Sequence, residues 1–157
     1  MNDALDALAA RIALDAPSHE GLRLAFGHAC AARVEQFIEQ PAVLACLHGL
    51  GAFLAGTLPP AEFAALAAQA MQLASQHQGS RSLDGTGHAA VSATYAVANA
   101  LAGKAHQAAD YAAYAAVYGQ GGYGAVADPE SFEPEFAWQL ACFARLAAEH
   151  GSGQAAA

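Results

Sequence analysis

Apolar residues recur along this chain every three or four positions, the period of an α-helix, and no segment alternates with the period of two that marks a strand. Residues 2–15 form a short amphipathic opening helix that Pro17 ends. A second helix is expected over 19–39, where Leu22, Phe26, Cys30, Val34 and Phe37 share one face and Arg23, Glu35 and Glu39 turn elsewhere. Pro41 suits the first turn of a third helix reaching Gly56, and Thr57-Leu-Pro-Pro opens a fourth over 60–78. Phe63, Leu66, Ala70 and Leu73 make the stripe of that fourth helix.

A turn-rich loop is expected at 79–87, then a fifth helix over 87–102 built of small, uncharged residues. Small side chains let backbones approach closely, so this helix reads as the central one. Gly103 ends it, and a sixth helix runs over 104–118. The glycine-rich and then acidic stretch from Gly119 to Glu130 reads as irregular. The last helix begins at Ser131 or Glu133, with Pro134 tolerated in its first turn and Phe132, Phe136, Leu140, Phe143 and Ala147 as its stripe. Beyond His150 the tail 151–157 is expected to fray. The whole of 1–157 reads as a single all-α domain, a compact bundle of about seven closely packed alanine-rich helices.

Composition sharpens this picture. The chain has 45 alanines among 157 residues, and only 13% of its positions are charged, so its surface is covered by Ala, Gln and Ser rather than Lys and Glu. A net charge of −8, from 6 basic and 14 acidic residues, argues against nucleic acid, whose phosphates require cations. The same charge suits a basic protein partner, or serves solubility alone. No charge falls between Glu39 and Glu62, yet that run is interrupted by His48, Gly49 and Gly51 and lacks flanking Lys or Arg. A buried helix is expected there, not a membrane span. Cys30, Cys46 and Cys142 each lie in an apolar helical run and are expected to be buried, reduced thiols. The acidic start MNDALDALAA has no basic leader region, which points to the cytoplasm.

Most motifs fail a geometric test. Gly119 to Gly124 matches G-x-G-x-x-G, but a helix precedes it and an acidic run follows, where a phosphate loop needs a strand and then a helix N-terminus. His28-x-Cys30 and Cys46-x-His48 put their ligands roughly 200° apart around a helix, so neither pair chelates a metal. No nucleophile stands with an obvious base and orienting acid. Neither a cofactor nor an enzymatic activity is expected. Two features carry more weight. Tyr111, Tyr114 and Tyr118 form a stripe, with Tyr123 just beyond, and Trp138 lies opposite the Phe stripe, on a side shared with Cys142, Arg145 and Glu149. Such residues are enriched at binding hot spots, although they equally fill a second core face.

The segment GHACAARVEQFIEQP, residues 27–41, resembles a recurring helix of immunity proteins from bacterial polymorphic-toxin systems. The likeness continues through Gly87-His-Ala-Ala and Ala108-Ala-Asp-Tyr-Ala to a closing helix with Glu135, Trp138, Gln139, Arg145 and Leu146, and covers most of 22–147. Where relatives carry a His pair after the Gly-His-Ala-Ala element, this chain has Tyr95 and Asn99. The resemblance implies direct binding of a cognate protein toxin, with Tyr114, Tyr118, Asp128, Glu130, Glu133, Glu135 and Trp138 as the expected contacts. A different reading is a small helical enzyme or ligand-binding domain, its cavity among the uncharged central helices and lined by His88, Tyr95 and Asn99. A structural homodimer is a third.

Overall fold

The computed structural model describes residues 1–77 and 85–156. Among them it places seven α-helices and no strand: α1 (Asp3–Arg11), α2 (Glu20–Ala32), α3 (Pro41–Leu54), α4 (Pro60–Ser75), α5 (Thr86–Leu101), α6 (Ala105–Ala127) and α7 (Glu133–Ala156). Short 3-10 turns occupy Pro17–His19, Glu35–Phe37 and Pro129–Phe132. The all-α bundle expected from periodicity is the fold. None of the helices among the described residues is long and apolar enough to cross a membrane.

The central position expected for the fifth helix holds. α5 packs on α2, α3, α4 and α6, and its Ala93, Ala96, Val97, Ala98 and Ala100 are wholly buried. Its main neighbour α6 answers with Ala108, Ala109, Ala113 and Ala115, so two alanine faces meet with backbones close together. Gly27 lets α2 come equally near: a methyl group there would stand 3.0 Å from the Ala100 Cα. Larger side chains fill the flanks. Phe26 and Phe143 meet edge to face at 5.1 Å, joining α2 to α7, and each contributes about 2 kcal/mol by burial.

A buried polar relay fixes how α1, α7 and α6 meet. The Asn2 side-chain oxygen caps α1 by accepting from the Leu5 N–H at 3.2 Å. The same amide donates to the Phe136 carbonyl and to Gln139 Oε1, at 3.1 and 3.2 Å. Gln139 Nε2 in turn donates to the Ala109 carbonyl on α6 at 2.8 Å. Asn2 and Gln139 are 4% and 1% exposed, so breaking either link strands a buried amide.

Four boundaries depart from the periodic pattern. The opening helix stops at Arg11, four residues short of the expected end at 15. Ala13 then takes a left-handed φ of 55°, and the Arg23 guanidinium holds the turn by donating to the Leu14 and Ala16 carbonyls. α2 stops at Ala32 rather than 39, because tertiary contacts override the local pattern: Arg33 reaches across to α7 and Phe37 seats against Gly119. The stretch from Gly119 is not irregular but helical through Ala127, with a kink at Gly122 (φ 63°, ψ −149°). Gly119 is required there by contact, since a Cβ would lie 2.2 Å from Phe37 Cζ. Finally, the α7 backbone stays helical past His150 to Ala156. Residues 79–84 of the expected 79–87 loop lie outside the described residues.

Candidate functional site

Three groups of side chains separate on this scaffold. The first joins α2 to α7. Arg33, just past the end of α2, forms a two-pronged pair with Glu135, Nε to Oε2 at 2.8 Å and Nη2 to Oε1 at 3.2 Å. Its guanidinium carbon also lies 4.4 Å from the centre of the Trp138 ring, one helical turn along α7. Glu135 is 5% exposed. Glu135, named above among the expected contacts, has its cation supplied by the chain itself, from 102 residues away. Trp138 is half-buried against that cation and borders a shallow depression with Cys142 and Arg145.

The second group is the tyrosine surface. Tyr111 and Tyr123 are 37% and 46% exposed, while Tyr114 and Tyr118 between them are half-buried. Tyr118 stacks on His88 at 5.1 Å, and Tyr123 meets both rings at their edges. Tyr114 leans on Phe132 at 5.3 Å, which brings the acidic stretch before α7 beside the stripe. In that stretch Asp128, Glu130 and Glu133 are exposed, and Asp128 accepts from the Glu130 N–H. The structure thus sets Tyr114 and Tyr118 side by side, with Tyr114 against Phe132 in the acidic stretch, and leaves Glu135 and Trp138 with Arg33.

The third group was not anticipated from sequence. Along α6, Gln107, Asp110, Tyr111 and Tyr114 line a groove of about 300 Å³. Asp110 is shared with a neighbouring depression of about 510 Å³ between α1 and α6, walled also by Asp6, Asp15 and His106. There His106 Nδ1 and Asp6 stand 2.9 Å apart, pairing the two helices. Asp110 is half-buried and has no hydrogen bond or ion pair among the described residues. Burial pushes its carboxyl above the ordinary range, and nearby Asp6 adds to that rise, while the N-terminal amine and His106 oppose it. The spacing of Asp110, Tyr111 and Tyr114 is legible in the sequence. The approach of α1 is not.

Among the described residues His88, Tyr95 and Asn99 each have separate partners. His88 belongs to the Tyr118 cluster, Tyr95 stacks on Tyr111 at 5.1 Å, and Asn99 donates to the Tyr95 carbonyl of its own helix at 2.8 Å. None of the three walls the depressions described here. Cys30, Cys46 and Cys142 are buried free thiols, as expected, and burial raises the pKa of each, that of Cys30 farthest. Among the described residues no three His, Cys, Asp or Glu side chains gather where a metal could bind.

No family model, curated protein or solved structure matches this chain.

Proposed function

We propose that this chain is an immunity-type binding protein that neutralises a cognate bacterial toxin by direct contact. The observation that carries the reading is the open aromatic surface of α6, where Tyr111, Tyr114, Tyr118 and Tyr123 lie beside Asp128, Glu130 and Glu133. Tyrosines bury large area at low entropic cost, and their hydroxyls keep a polar tip for a wet rim. Adjacent carboxylates raise the encounter rate with a basic surface and make it sensitive to salt. The resemblance of residues 22–147 to immunity proteins supplies the class of partner.

Glu135 is not among the proposed contacts, since Arg33 already satisfies it. Trp138 contributes only its outer edge. The test is co-expression with the protein encoded beside this chain's gene, followed by size-exclusion chromatography and binding kinetics. The expected result is a stoichiometric complex whose association slows with salt and whose dissociation quickens in Tyr118→Ala. Separate elution of the two proteins at micromolar concentration overturns the reading.

A further inference from the structure

The Arg33 clasp is a template for a second site. On α7 a carboxylate (Glu135) and an aromatic ring (Trp138) stand one turn apart, and a guanidinium from elsewhere in the fold fits between them, paired at 2.8 Å and stacked at 4.4 Å. On α6 the same two elements recur as Asp110 and Tyr114, with Tyr111 and Gln107 completing the groove, but no guanidinium of the described residues lines it. One face of Tyr111 is held by Tyr95, stacked at 5.1 Å, which leaves the ring fixed and its other side open. The neighbouring His106 pairs with Asp6 at 2.9 Å, and it and the N-terminal amine act on Asp110 only as charges from farther off.

We infer that the groove of Gln107, Asp110, Tyr111 and Tyr114 is a seat for an arginine side chain presented by a partner protein. The chemistry is specific. A planar guanidinium offers a fork of N–H donors to one carboxylate and a flat face to a ring, whereas a lysine ammonium is a compact, strongly hydrated point charge. The Gln107 amide oxygen can accept a further guanidinium N–H. Half-burial of Asp110 strengthens any pairing made there relative to a carboxylate in open water, because less solvent screens it. This inference deepens the proposed function by naming what the partner must bring.

The test uses the whole protein, labelled with ¹⁵N, titrated with N-acetyl-argininamide, its neutral isostere N-acetyl-citrullinamide, N-acetyl-lysinamide and agmatine. The expected result is saturable displacement of amide resonances across 107–114 by the arginine derivative. The citrulline and lysine derivatives bind at least about tenfold more weakly, a loss of about 1.4 kcal/mol. Asp110→Asn and, separately, Tyr111→Leu should each reduce the response to arginine, while Glu62→Gln, an exposed carboxylate on α4, leaves it intact. Equal binding of citrulline, displacements centred elsewhere, or no response to arginine each overturns the inference. So does tighter binding of agmatine than of the arginine derivative, which would assign the groove to a small polyamine. No toxin is present in this titration. Its failure therefore relocates the interface without touching the partner class, while failure of complex formation alone leaves an arginine seat with a different owner.

Discussion

Glu135 and Asp110 are both carboxylates on long helices with an aromatic ring one turn away, yet their situations are opposite. Glu135 is nearly sealed from solvent and holds the Arg33 guanidinium in a two-pronged pair beneath Trp138. Asp110 is half-buried beside Tyr111 and Tyr114 and makes no hydrogen bond or close ion pair among the described residues, with the N-terminal amine and His106 acting on it only from farther off. A saturated carboxylate ties the fold together and has no capacity left for a partner. One that is partly desolvated and unpaired is instead a place where binding gains more than it costs. Acidity along the sequence does not separate the two. Whether the chain has already supplied the cation does.

The comparison implies a graded set of outcomes. Arg33→Ala should be the most damaging change, lowering stability by about 3 kcal/mol, because it leaves the buried Glu135 charge without a counterion. Chemical denaturation with an unchanged m-value checks this, and a loss under about 1 kcal/mol would mean that water replaces the guanidinium freely. Trp138→Leu should cost about 1 kcal/mol by removing the ring from Arg33, and less when Arg33 is already absent. Additive effects in that double-mutant cycle would break the clasp into independent contacts.

Asp110→Asn should act in the other direction, raising the melting temperature slightly at neutral pH. Burial lifts the Asp110 carboxyl above its ordinary 3.8, so in the window just above that value the folded state keeps a proton that the unfolded chain has lost. The stability tied to Asp110 is therefore present at low pH and declines as pH rises through its folded value. Melting curves across mildly acidic pH should show a flatter dependence in the variant, and a steeper one would reverse the sign of the argument. Tyr111→Leu is expected to matter least to folding, within about 0.5 kcal/mol, as its ring is substantially exposed. Its effect should appear in binding alone.

The bundle was legible because its signals are local. Pro41 opens α3, Gly103 follows α5, and the Ala-rich run at 87–102 marks the central helix with an error of one residue at each end. The errors arose where distant contacts decide. Gly119 looked like a loop residue, but it is helical and bare because Phe37 fills the space a methyl would take. The spacing of Val34 and Phe37 predicts α2 as far as 39, whereas the backbone turns after Ala32 and Arg33 reaches α7. The same pairing hid the true state of Glu135, which reads along the chain as one more acid in a dense run. Asp110 was overlooked for the converse reason. Its setting is a property of three helices: the Asn2–Gln139–Ala109 relay and the Asp6–His106 pair bring α1 beside α6 and form the depression that Asp110 shares.

The arginine seat inferred above makes partner recognition depend on the Asp110 carboxylate rather than on acidity in general. Isothermal titration of the adjacent gene's product against wild type, Asp110→Asn and Glu133→Gln tests it most directly. The account predicts that Asp110→Asn weakens binding at least about tenfold, or 1.4 kcal/mol, while Glu133→Gln, a rim charge, stays within about threefold. Equal affinity of wild type and Asp110→Asn, or a larger loss at Glu133, would contradict it.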